Sequence, residues 1–140
     1  MTILSSAIER RMRHGGDYRR HRPGRLVATA AMMERARLAY AIGARRQSAL
    51  GKGLFADPAW NILLDLFLSD EGGRDLSVTA VCIGSRSSSA TALRYITLLV
   101  ERGLIDRVAD EHDGRRTYVR LTAKGWNAMV TLFEDEPAAD

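Results

Sequence analysis

The sequence has little of several things that would commit it to a chemistry. It has one cysteine, Cys82, which excludes a disulfide framework within the chain and a zinc site built on several thiolates. No apolar run is long enough to span a bilayer, and the N-terminus lacks the apolar stretch and small-residue site of a secretory signal. His14, His21 and His112 share no metal-ligand spacing with one another or with Cys82. The serines at 87–89 have no His and carboxylate arrangement beside them, and there is no phosphate-cradling glycine loop, so an enzyme is not expected. At 140 residues a TIM barrel and most two-domain enzymes are excluded. The expectation is one small cytoplasmic domain with appendages, without cofactor or metal.

What is present is charge, unevenly placed. The formal net charge is +4, yet residues 1–56 hold 12 Lys/Arg against 3 acids, and residues 57–140 hold 9 against 14. The second part divides again. Residues 57–75 and 134–140 each carry −4, and residues 76–133 between them carry +3. A basic middle framed by acids points to a polyanion met by a defined surface rather than by the whole chain.

Residues 1–25 combine Arg10, Arg11, Arg13, Arg19, Arg20, Arg22 and Arg25 with Gly15-Gly16 and Pro23-Gly24, and read as a flexible basic arm. A short helix over Ile3–Met12 is one reading within it. Residues 26–53 read as a long alanine-rich helix with Leu26, Ala30, Met33 and Tyr40 on one side and Leu38 and Ile42 beside them. Its apolar stripe needs a cover, and a second copy of the chain is the expected one, through residues 26–50.

From residue 54 to 134 the elements follow in quick order. Asp57-Pro58 opens a helix, with Asp57 as cap and Trp60, Leu63, Leu64, Phe67 and Leu68 inward. Leu76-Ser77 opens a short helix carrying Val78, Val81 and Cys82 as core. After the turn at Gly84-Ser85-Arg86-Ser87, Ser88 or a neighbour caps a helix that runs to Arg102 and ends at Gly103, with Leu93, Ile96, Leu99 and Val100 as its core stripe. Two alternating strands, 104–108 and 118–121, flank a polar hairpin holding Asp113-Gly114. Thr122 caps a last helix with Trp126, Met129, Val130 and Phe133 inward, and residues 135–140 form an acidic tail. The fold class is therefore mainly α with a small β-hairpin wing (α+β): a winged helix-turn-helix preceded by a long N-terminal helix. In that order of elements the helix over about 88–102 would enter a DNA major groove and the hairpin over about 109–117 would reach the backbone or the minor groove.

The run from Thr91 and Arg94 to Glu101-Arg102-Gly103-Leu104-Ile105, then Asp113-Gly114-Arg115-Arg116, then Leu121-Thr122-Ala123-Lys124-Gly125, resembles the multiple-antibiotic-resistance-regulator (MarR) family. There a recognition helix ends in E-R-G-L-I, a wing carries D-x-R-R, and L-T-x-x-G opens the next helix. The resemblance covers residues 57–133. It implies a dimeric bacterial transcription regulator bound to double-stranded DNA, often released by a small aromatic ligand. Carried onto this chain, Thr91 and Arg94, with Ser88, Ser89 and Arg86 in and after the turn, become the groove contacts. Arg115 and Arg116 become the wing arginines, and Asp113 the acid that holds them. Lys124 falls on a helix surface near phosphate. The chain departs from the family in having an acidic tail where a long C-terminal helix is usual. Dimerisation would then rest on residues 26–50, the ligand cleft would be reduced, and a small-molecule effector has no residue to support it. The competing expectation is a winged-helix module for protein–protein assembly without specific DNA binding.

Overall fold

The computed structural model describes residues 23–51 and 53–135. The expected arm and short helix over residues 1–22, Lys52, and most of the acidic tail lie outside the described residues. Five helices and three short strands follow one another among the described residues: α1 (Ala30–Leu50), α2 (Pro58–Glu71), β1 (Leu76–Ser77), α3 (Val78–Gly84), α4 (Ser89–Glu101), β2 (Ile105–Ala109), β3 (Thr117–Leu121) and α5 (Ala123–Leu132). This is the winged helix-turn-helix expected from the sequence, with one strand more than expected.

Local chemistry sets most of the boundaries. Thr29, Ser77, Ser88 and Thr122 each sit in extended backbone and accept the amide of the third helical residue that follows, at Met32, Ala80, Thr91 and Gly125. α1 therefore starts at Ala30 rather than Leu26. Pro58 occupies the first position of α2, but Asp57 makes no side-chain cap there, contrary to expectation. α4 ends in a Schellman arrangement. Gly103 takes φ +71°, its amide donates to the Val100 carbonyl, and the Leu104 amide reaches back to the Leu99 carbonyl.

α2 is the central element, touching α1, α3, α4, α5 and β3. Its Ile62, Leu64, Leu66 and Phe67 are buried against Met33 and Ala36 of α1, Val81 and Cys82 of α3, Ala92, Ile96 and Leu99 of α4, and Trp126, Met129 and Val130 of α5. Phe67 lies 4.8 Å from the Trp126 ring, and Phe133 closes that side by stacking on Trp60 at 6.0 Å. Cys82 is a buried, small apolar residue of this core.

The three strands form one antiparallel sheet in the order β1-β3-β2. Ile105 faces Leu121 at the open base of the hairpin and Ala109 faces Thr117 beside its closing loop. Leu76-Ser77 was expected to belong to a helix only. It pairs with Tyr118 and Val119 before Ser77 caps α3. Two residues are too few for a period-2 pattern, so nothing local marks them as a strand. The sheet joins α5 tightly, because a Cβ on Gly125 would stand 2.0 Å from the Leu104 carbonyl oxygen.

The segment before α1 is fixed, not part of a free arm as far as residue 25. The Leu26 amide donates to Asn127 Oδ1, Asn127 Nδ2 donates to the Gly24 carbonyl, and the Trp126 indole donates to the Leu26 carbonyl, each at 2.7 Å. Arg25 lies 3.8 Å over the Trp126 ring and pairs with Asp70 of α2 at 3.0 Å, with 3% of its side chain exposed. At the far end of α5, Arg35 of α1 donates through Nε and Nη2 to the Phe133 carbonyl and pairs with Asp135 at 2.9 Å.

Candidate nucleic-acid interface

The hydroxyls at the start of α4 serve the backbone first. Ser88 Oγ accepts the Thr91 amide at 3.2 Å and donates to Thr91 Oγ1 at 3.0 Å. Ser88 and Ser89 are exposed, Thr91 half-buried. Arg94, one turn on, is exposed, with its guanidinium 5.4 Å from the Tyr95 ring. The inward face of α4 is Ala92, Ile96 and Leu99. Leu93, expected in the core, is instead 44% exposed, since the helix turns Ala92 and not Leu93 toward α2.

Arg86 does not face outward as expected. It has φ +58°, the one positive φ outside glycine among the described residues. That backbone turns its side chain back onto α1, where its guanidinium lies 3.9 Å over the Tyr40 ring and Nη2 donates to the Tyr40 carbonyl at 2.8 Å. Tyr40 returns a bond, its hydroxyl donating to the Gly84 carbonyl at 2.8 Å. Below them, Asn61 of α2 donates to the buried Ser85 carbonyl, and Ser85 Oγ donates to the Cys82 carbonyl while accepting the Ser87 amide. The turn between α3 and α4 is thus held from two helices. Asp65 sits against Gly84, where a Cβ would stand 1.9 Å from Oδ2. Burial raises its pKa above the usual carboxylate value, an effect that Arg74 and Arg86 partly offset. Burial, with Asp65 adding to it, also raises the Tyr40 phenol.

In the wing, Asp113 acts on the backbone of the arginines rather than on their guanidinium groups. Its Oδ1 accepts the Arg115 amide at 3.1 Å and its carbonyl accepts the Arg116 amide at 3.0 Å. Arg115 and Arg116 are exposed at the tip. A second acid, not expected from the sequence, secures the base of the loop. Asp110 accepts the His112 amide at 2.9 Å and the Tyr118 hydroxyl at 3.0 Å, and its own amide donates to the Arg116 carbonyl. The His112 amide bond, then the Tyr118 hydroxyl, hold the Asp110 pKa below the ordinary value. A hydrogen bond to Tyr118 likewise raises that of Arg116.

Two further cations tie this unit together. Arg107 of β2 donates to Thr97 Oγ1 of α4 at 3.1 Å, and Thr97 in turn donates to the Leu93 carbonyl. Lys124 donates to the Arg102 carbonyl at the end of α4, so its charge serves the helix terminus. Helix and wing are therefore braced as one body. Asp110, Arg107 and Thr97 were legible only as polar residues of a strand, a turn and a helix, because their partners lie across elements. Among the described residues no group of three or more His, Cys, Asp or Glu could hold a metal ion, and no helix is long and apolar enough to cross a membrane.

Residues 77–125 match the family model described as a winged helix DNA-binding domain. Among solved structures, MepR of Staphylococcus aureus in its DNA-binding conformation is similar at 18% identity, covering 75% of this chain and 76% of that one with a TM-score of 0.49. The PcaV transcriptional regulator of Streptomyces coelicolor, in complex with its natural ligand, is similar at 24% identity, covering 71% and 68% with a TM-score of 0.45. A probable transcriptional regulator from Pseudomonas aeruginosa is similar at 27% identity, covering 72% and 70% with a TM-score of 0.45. No curated protein matches the sequence significantly.

Proposed function

We propose that the protein is a transcription regulator of MarR type that reads double-stranded DNA as a homodimer, from the premise that residues 77–125 match the winged helix DNA-binding domain and fold as a winged helix. The observation that carries this reading is the bracing of α4 to the wing. Arg107 and Thr97 lock the helix to the strand, while Asp113 and Asp110 fix the backbone that presents Arg115 and Arg116. α4 would lie in the major groove with Arg94, Ser89 and the Ser88–Thr91 pair toward the bases and phosphates. The wing arginines would follow the backbone or enter the minor groove. Arg86, occupied on Tyr40, has no part in the contact.

Dimerisation through α1 is the companion proposal. Met33 and Ala36 face the core, whereas Leu38 and Ile42 are 53% and 57% exposed on a helix that has no other cover among the described residues. No effector is included, because no observation supports one.

The test is a titration of the full chain against duplex DNA across a salt series. Counterion release predicts an affinity that falls linearly in log–log form, by about 0.9 per phosphate neutralised. Arg94→Ala should cost about 1–3 kcal/mol on a specific site and relax the preference at one base pair. Arg115→Ala should weaken all duplexes alike and flatten the slope by about one. Absence of duplex binding at low salt overturns the reading, and an Arg94→Ala, Arg115→Ala double variant whose DNA binding survives while a protein partner is lost transfers it to the protein–protein alternative.

A further inference from the structure

The outward face of α4 has fewer available hydroxyls than its sequence suggests. Ser88 Oγ is committed to the Thr91 amide and to Thr91 Oγ1. Thr97 Oγ1 donates to the Leu93 carbonyl and accepts from Arg107. Thr91 is half-buried. What the middle of that face presents instead is apolar surface beside a single guanidinium: Ala90, exposed, Leu93, 44% exposed one turn later, and Arg94 next to it. The core does not need Leu93, since Ala92, Ile96 and Leu99 already close the inward side.

A lone exposed leucine is ordinary on a protein surface. At the centre of a helix bound for the major groove it meets one particular chemistry. The thymine C5-methyl is the apolar group that bases display there, whereas guanine offers the paired acceptors suited to an arginine. Ala90, with no side chain beyond Cβ, lets the helix approach closely enough for Leu93 to make contact.

We infer that Leu93, flanked by Ala90, is a specificity-determining residue that reads a thymine methyl group, at a base pair neighbouring one read by Arg94. This inference rests on the DNA-binding reading above and adds to it the class of base that the helix selects.

The experiment starts from sites recovered by the full-length protein out of a random duplex library. Each thymine of the recovered site is then replaced singly by deoxyuridine, which removes the methyl and keeps the base pair. Wild-type protein should lose about fourfold in affinity at one position per half-site, the worth of one buried methyl-sized group. Leu93→Ala should be indifferent to that same replacement, and Leu93→Met, which keeps an apolar side chain of similar size, should remain sensitive. If every uridine replacement leaves the wild type unchanged, or if Leu93→Ala loses as much as the wild type, Leu93 is not the reader, while sequence-specific binding stands. If the library returns no enriched sequence, specific recognition itself fails and the role of Leu93 fails with it.

Discussion

Single side chains carry two kinds of strain in this protein, and each has a measurable sign. Asp65 is a carboxylate that burial makes harder to ionise. The folded state therefore holds its proton to a higher pH than the unfolded chain does, and stability decreases as pH rises from the unfolded pKa through the raised folded value. Thermal melts should show the protein gaining stability from this group as pH falls through the raised folded value toward the ordinary carboxylate value, and Asp65→Asn should flatten that part of the profile. Arg25 is the opposite case, a buried cation whose partner is equally hidden. Arg25→Ala leaves Asp70 in the core of the α2–α5 contact and removes the cover of Trp126; chemical denaturation should show a loss of about 3 kcal/mol. Neither role was legible. Arg25 stands in a run of arginines spaced by glycine and proline, which reads as an arm, and only the distant Asp70 and Trp126 distinguish it. The contact of Arg86 with Tyr40 is hidden for the same reason, its partner being 46 residues away. Leu93 was placed in the core because it lies beside the correct stripe, and one residue of rotation decides between burial and solvent.

At the scale of elements the sequence was far more informative, because helix caps are local. Ser88, or a neighbouring serine, and Thr122 each announce a helix that starts at the next residue, and Gly103 announces the end of α4. The winged order, the hairpin and its Asp-Gly turn followed from such signals and from apolar spacing. β1 did not, being two residues long and defined only by its pairing with β3. The wing is the element most open to test. Asp110 is held below the usual carboxylate pKa by the His112 amide and Tyr118, so the order it lends the loop is present above the ordinary carboxylate range and lost as pH falls through the lower folded value. Asp110→Ala at neutral pH should speed amide hydrogen exchange at His112 and its neighbours and weaken DNA binding, with little change in the global melting temperature. Unchanged exchange in the loop would show that the hairpin turn alone orders it. Gly125→Ala should act differently, driving a methyl group into the Leu104 carbonyl and parting α5 from the sheet. A cost of at least about 1–3 kcal/mol is expected, read as a lowered denaturation midpoint.

For the whole molecule, the net charge of +4 misleads if taken as a uniform property. Charge of both signs lies along the described domain, and several of its cations serve structure: Arg25 at Asp70, Arg35 at Asp135, Arg120 at Asp75 and Lys124 at a helix end. The proposed interface is left with Arg94, Arg115 and Arg116, a short set for capture of a polyanion. Sedimentation of the full chain should show a dimer at micromolar concentration, and Leu38→Glu together with Ile42→Glu should yield a folded monomer with weakened affinity for a two-half-site duplex. A dimer that survives both substitutions would place the contact elsewhere.

The pairing of Arg86 with Tyr40 has a bearing on how such a dimer would be tuned. Gly43 lies one turn beyond Tyr40 on α1, and a Cβ there would stand 3.1 Å from Arg86 Nη1. The handle by which two copies would hold each other and the turn that aims the reading helix thus share a fulcrum. A single methyl group added at position 43, on a helix that touches no base, would press on that fulcrum and be registered as a changed preference for the spacing between half-sites.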